Sequence, residues 1–207
     1  KNIIMELDVK GNPGNNNTFH DAHMENVQNY APNAKEINNL NFNGKSSRYV
    51  SRLQRLAEEI RGEIKEDVFE DLLFYNTKLD GTKDLEQKLI DGHFGRTRIT
   101  VATRQKEMYA KKATKYECYP SAQQINFSIF GRIKNDFDTY ITPLIETNTP
   151  INDIMKVVRE KIVSPIMEII ENGANDDYLQ YTADHIYGMI YYLTGMCHLN
   201  WKDYDNV

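Results

Sequence analysis

The chain has 207 residues, of which 40% are hydrophobic and 27% are charged, and its formal net charge is −5. This size and composition are typical of one globular domain, or of one domain with an appendage. The acidic balance argues against a dedicated nucleic-acid-binding domain, which is usually basic. No run approaches the roughly 18 apolar residues of a membrane span, and the first residues lack a signal-peptide core. Since Cys118 and Cys197 do not make a disulfide framework, we expect a cytoplasmic protein.

The first 45 residues are rich in asparagine, with 12 of the 21 asparagines of the chain. Asparagine is a poor helix former because its side chain competes for backbone hydrogen bonds. The segment IIMELDV alternates apolar and polar residues, and the turn signals GNPGNNN and APNA follow it. We therefore predict a β appendage over 1–45 with two or three short strands, which pack on the rest of the chain or pair with another copy in a homo-oligomer.

From Ser46 onward the apolar residues recur every three to four positions, which predicts a helical domain over 46–207. The predicted fold class is mainly α, with about six amphipathic helices in an irregular bundle. Their approximate ranges are 47–75, 82–92, 96–117, 121–144, 150–172 and 175–199. Gly62 is expected to weaken the first helix, Ser121 to cap the fourth, and Pro165 to kink or end the fifth.

Candidate catalytic and metal sites are few. His20 and His23 form an H-x-x-H pair, but alternation along a strand would point their rings to opposite faces. His185 is not one helical turn from Cys197 or His198, so these three do not converge on one helix face. The chain contains no G-x-x-x-x-G-K-[ST], G-x-G-x-x-G or G-x-S-x-G motif. We therefore expect no catalytic residue, cofactor or metal, with an enzyme of unrecognised site as the lesser alternative.

Charge is distributed unevenly along the helical domain. Residues 58–91 hold 11 acids and 5 bases, whereas residues 96–115 hold 7 bases and one acid, Glu107. The seven bases are Arg96, Arg98, Arg104, Lys106, Lys111, Lys112 and Lys115. Three interpretations stay open: pairing between the two segments, binding of a protein partner, or contact with the phosphates of DNA.

Aromatic residues concentrate at the end of the chain. Six residues of this region are candidates for a partner interface: Tyr187, Tyr191, Tyr192, His198, Trp201 and Tyr204. Tyrosine and tryptophan are enriched at interfaces because they bury much area and keep a polar group. The alternative is a core helix whose hydroxyl groups reach its rim.

The segment TADHIYGMIYYLTGMCHLNW, with Cys197, His198 and Trp201 in a C-H-x-x-W motif, resembles the end of the C-terminal domains of bacterial ABC three-component conflict systems, of which Lamassu-type defence systems are the best known. The segment KYECYPSAQQINFSIFGRI and the proline-marked helices after it are also similar, so the resemblance covers roughly residues 112–204.

This resemblance implies an adaptor role in antiviral or anti-plasmid defence. Domains of this kind connect an effector, often a nuclease, to an SMC-like ABC ATPase that senses foreign DNA. The expected function is therefore a non-enzymatic subunit that binds these two proteins. A protein that contacts DNA through residues 96–115 is the alternative.

Overall fold

The computed structural model describes residues 48–62, 75–79, 83–172 and 176–202. Within these ranges all regular secondary structure is helical and no strand is present, which confirms the predicted mainly α class. The predicted β appendage over 1–45, with His20 and His23, lies outside the described residues.

The described residues include eight α-helices and one π-helical turn, Tyr75 and Asn76 are also helical, and each of the six predicted helical ranges overlaps at least one helix. In chain order they are α1 (Arg48–Ile60), α2 (Leu85–Asp91), α3 (Arg96–Lys115), α4 (Pro120–Tyr140), α5 (Thr142–Glu146), α6 (Ile151–Val158), the π turn (Arg159–Val163), α7 (Ser164–Glu171) and α8 (Ala183–Gly195).

Helix α1 ends at Ile60, which corrects the prediction of one helix continuing through Gly62 to about residue 75. Gly62 has a φ of 77°, in the left-handed region that glycine adopts without a steric penalty, and its N–H donates to the Glu59 carbonyl at 3.0 Å. Gly62 therefore ends a helix, where the sequence analysis expected it only to weaken one.

Pro165 does not end the helical run that begins at Ile151. The Ser164 N–H donates to the carbonyl of Arg159, five residues back, so the helix widens into a π turn just before the proline. This turn accommodates a residue that has no N–H to donate. The apolar face predicted for this region is buried at Ile154, Val158, Ile162 and Ile166.

The N-terminus of α4 is capped by a side chain from another helix. We predicted Ser121 as the cap, but the N-cap position is Tyr119, with Pro120 in the first turn and no side-chain cap of its own. The carboxylate of Glu59 in α1 accepts hydrogen bonds from the Ser121 N–H at 3.2 Å and from the Ser121 hydroxyl at 2.6 Å, and both residues are buried. A carboxylate suits a helix N-terminus because the N–H groups there lack partners in the helix.

Candidate functional site

Helices α3 and α8 carry the residues that the sequence analysis singled out, and they pack directly against each other. At Gly188 the crossing is so close that a Cβ atom would collide with the Gln105 carbonyl oxygen and lie 2.8 Å from the Tyr109 Cβ. The Gln105 side-chain amide also donates to Asp184 at 2.8 Å. This contact fixes the position of the basic helix against the aromatic helix.

The C-H-x-x-W motif forms the end of α8. Cys197 has a φ of 67°, its N–H donates to the Thr194 carbonyl at 3.1 Å, and the His198 N–H donates to the Leu193 carbonyl at 2.9 Å. These two bonds form a Schellman motif, which satisfies carbonyl groups left over at a helix C-terminus. The motif therefore terminates a helix and turns the chain back toward the core.

Trp201 of the same motif is a core residue, 3% exposed. Its indole N–H donates to the Thr194 hydroxyl oxygen at 3.0 Å, and its ring packs edge-on against Phe94 and Phe137 at centroid distances of 4.9 and 5.0 Å. Edge-to-face pairs add to the stabilisation from buried area. Trp201 thus joins α8, α4 and the turn between α2 and α3.

The six candidate interface residues occupy different environments. Tyr191 and Trp201 are 2% and 3% exposed, so they contact this chain's own core. His198 is also buried, with its ring 5.3 Å from that of Tyr75 and hydrogen bonds to the backbone of Tyr75 and Thr77. Tyr187 and Tyr192 remain half-exposed, whereas Tyr204 lies outside the described residues.

Burial determines the protonation of the tyrosine and histidine side chains packed around α3 and α8. It raises the pKa values of the Tyr191 and Tyr109 hydroxyl groups, which therefore stay neutral. Burial also lowers the pKa of His198 below its ordinary value of 6.5.

The Tyr192 hydroxyl donates to Asn76 at 3.0 Å, so it helps to hold residues 75–79 against the end of α8.

Two of the seven cations of α3 donate hydrogen bonds to other elements of this chain, and a third, Lys106, lies beside α8. Lys112 donates to the Leu179 carbonyl and, at 3.3 Å, to the Gln180 carbonyl, in the segment that leads into α8. Arg98 donates to the Asn152 side chain at 3.1 Å. The Lys106 ammonium lies 3.3 Å from the position of a Cβ on Gly195. These three cations border the buried face of the helix, which contains Ala102 and Tyr109.

The other four cations of α3 lie on its exposed side, and we call them the basic stripe: Arg96, Arg104, Lys111 and Lys115. At about 100° per residue they fall within an arc of roughly 100°, opposite Ala102 and Tyr109. In the sequence the seven bases form one set along 96–115, and their positions around the helix separate the exposed four from the other three.

Pairing of the basic segment with the acidic segment 58–91 is not seen among the described residues. None of the seven cations of α3 has an acidic oxygen within 4.0 Å in the described ranges. Asp91 of the acidic segment pairs instead with Lys83, at 2.7 Å. The four cations of the basic stripe are exposed and are not paired with an acid of the described ranges, and the Lys115 ammonium lies 4.9 Å from the Tyr116 ring centroid.

An open cleft of about 500 Å³ lies between the end of α2 and the turn between α5 and α6. Two non-glycine residues with left-handed backbone border it, His93 with a φ of 62° and Asn148 with a φ of 54°. Both follow the ends of helices, where a left-handed residue closes the last turn.

The described ranges contain no group of three or more His, Cys, Asp or Glu side chains arranged to hold a metal ion. They also contain no helix with the length and apolar character needed to cross a membrane.

A family model described as C-terminal domain 9 of the ABC-three component (ABC-3C) systems matches residues 84–201. The match runs from the N-cap of α2 to Trp201 and includes both α3 and α8. The predicted resemblance to the C-terminal domains of ABC three-component systems is thereby confirmed, and its Lamassu-type specification stays a prediction. No curated protein and no solved structure matches the chain.

Proposed function

The chain belongs to the family of C-terminal domain 9 of the ABC-three component systems, and on this premise we propose that it is a non-catalytic subunit of a prokaryotic defence complex. In this proposal it bridges an SMC-like ABC ATPase and an effector such as a nuclease, in an antiviral or anti-plasmid system of the Lamassu type. The observation that carries the proposal is the family match over residues 84–201.

The arrangement of the matched region supports an adaptor. Contacts at Gly188 and Trp201 pack α3, α4 and α8 against one another. A well-packed domain can hold two binding surfaces at a fixed separation. We assign one surface to the exposed side of α3 and the other to the half-exposed tyrosines of α8, Tyr187 and Tyr192. Tyr191, His198 and Trp201 support the second surface from the core.

Contact with DNA is the second candidate function, because the cations of the basic stripe are exposed and have no acidic partner within the described ranges. Contacts from lysine and arginine to phosphates would be blind to sequence and would weaken steeply with salt. Lys112 is excluded from this set, since it holds the carbonyl groups of Leu179 and Gln180.

Co-expression of this chain with the ABC ATPase and the effector of the proposed complex tests the bridging role. The ATPase carries an affinity tag, and capture of the effector is compared with and without this chain. We expect the effector to be captured only when this chain is present. Equal capture in its absence contradicts bridging, and failure of this chain to bind either protein contradicts the adaptor assignment.

A further inference from the structure

We propose that the basic stripe of α3 is a docking surface for an acidic, amphipathic segment of a protein partner. This inference rests on the proposed function, since it names the chemistry of one contact that an adaptor makes.

The dimensions of the stripe suit one elongated segment. Arg96 and Lys115 are 19 positions apart, and a rise of 1.5 Å per residue separates them by about 28 Å along the helix. Arg104 and Lys111 lie between them on the same side. A partner helix of about 20 residues, laid along α3, therefore spans all four cations.

Within the described residues, the charge of the stripe is largely uncompensated. Glu107 is the one acid among residues 96–115, and it lies on the same side of α3 as the four cations. Glu86 of α2 faces the groove beside Arg96 and Arg104. Neither glutamate is within 4.0 Å of a stripe cation. In the described part of the chain, the four cations therefore have no acidic oxygen bound to them and are available to acidic groups of a partner.

Apolar side chains next to the stripe favour a protein over a nucleic acid. Val101 is 47% exposed on α3, and Ile90 is 49% exposed on α2, in the groove that Ile99, Arg96 and Arg104 also line. Aliphatic groups gain from contact with apolar side chains and gain nothing from a phosphate backbone.

The test uses the full chain and a synthetic helical peptide of about 20 residues that presents glutamates along one side, with leucines next to them. A matched peptide has glutamine in place of each glutamate, and a DNA duplex of equal length along its axis is the third probe. Binding is measured by fluorescence anisotropy at low and at physiological salt. We expect the glutamate peptide to bind at least about tenfold more tightly than the glutamine peptide.

Charge reversal locates the binding surface. The double variant Arg104→Glu/Lys111→Glu is expected to weaken binding of the glutamate peptide by about tenfold or more. The control is Lys156→Glu/Lys161→Glu, which makes the same change in net charge on exposed residues of α6 and the π turn and should leave binding unchanged. Circular dichroism and thermal unfolding establish that both variants are folded.

Three results overturn the inference. They are no binding of the glutamate peptide, equal binding of the two peptides, and binding of the duplex through Arg104 and Lys111 that is tighter than binding of the glutamate peptide. The co-expression experiment separates this inference from the adaptor role. If the complex assembles equally well with Arg104→Glu/Lys111→Glu, the docking surface is wrong and the adaptor role stands. If the wild-type chain assembles with neither protein, the adaptor role is wrong.

Discussion

Gly188 of α8 lies directly against the backbone carbonyl of Gln105 in α3, with no room for a Cβ atom between them. The two helices that carry the candidate surfaces are therefore held at a separation that a single methyl group would change.

Replacing Gly188 with alanine is expected to destabilise the fold. The added Cβ meets backbone and the Tyr109 Cβ, which cannot swing away, so we expect a loss of about 1–3 kcal/mol in the free energy of unfolding. Urea denaturation measures it. The matched control is Gly195→Ala in the same helix, where the nearest atom is the flexible end of Lys106 and alanine gains about 1 kcal/mol in helix propensity. Equal stability of the two variants would contradict the close crossing.

Glu59→Gln tests the capping of α4 by α1. The carboxylate accepts from both the N–H and the hydroxyl of Ser121 in a buried site, so replacing it with an amide should cost about 1–2 kcal/mol in unfolding free energy. The neighbouring Glu58→Gln should stay within about 0.5 kcal/mol of wild type. A loss at Glu58 as large as that at Glu59 would rule out the specific cap.

Lys111 and Lys112 are adjacent in sequence but are expected to have opposite roles. Lys112→Ala removes hydrogen bonds to the Leu179 and Gln180 carbonyl groups, so it should lower the free energy of unfolding by about 1–2 kcal/mol and leave binding of acidic peptides unchanged. Lys111→Ala should leave stability unchanged and weaken binding. Urea denaturation and anisotropy, applied to both variants, check this division. Loss of binding in Lys112→Ala alone would contradict the assignment of the stripe.

His93→Gly is expected to stabilise the chain. His93 is exposed and has a φ of 62°, a backbone conformation that costs a non-glycine residue roughly 1–2 kcal/mol. Glycine removes this cost, but its greater conformational freedom stabilises the unfolded chain. The net gain in the free energy of unfolding should therefore be about 0.5–1 kcal/mol. Thermal unfolding of His93→Gly and His93→Ala distinguishes the backbone effect from loss of the ring, since alanine should bring no gain.

Stability should fall as the pH falls below 6.5, the ordinary pKa of a histidine. Burial lowers the pKa values of both His185 and His198 in the folded chain. The Nδ1 atom of His185 accepts from the Thr182 N–H at 3.2 Å, which requires that nitrogen to be unprotonated. The unfolded chain therefore binds more protons just below pH 6.5, and the stability present above this pH is lost as the pH falls through the lower folded values.

Denaturation midpoints between pH 8 and pH 5 measure this loss, because the window spans the ordinary histidine pKa. His185→Gln should flatten part of the pH dependence. A midpoint that rises on acidification would have the wrong sign and would contradict the assignment.

The sequence predicts the helices well because burial of one face leaves a 3.6-residue period, as at Ile125, Ile129, Ile133 and Phe137, all of which are buried. Local periodicity contains no information about distant partners. For that reason the sequence predicts Ser121 as the cap of α4. In the structure the capping side chain is Glu59, 62 residues away. The sign of the charge on α3 was visible in the sequence, but which cations face solvent depends on how α3 packs against α8.

Tyr191 and Trp201 show the same limit for the candidate interface. Aromatic side chains suit an interface and a core equally well, and only the packed neighbours Phe94 and Phe137 place Trp201 inside. Tyr187 and Tyr192 remain accessible on the same helix.

The most direct test of the adaptor role is the mass in solution, by light scattering behind a sizing column, of this chain mixed with the ATPase and the effector of the proposed complex. The account predicts one peak whose mass includes all three proteins, and separate peaks for the ATPase and the effector when this chain is left out. Elution of this chain at its own mass, apart from both proteins, would contradict the account.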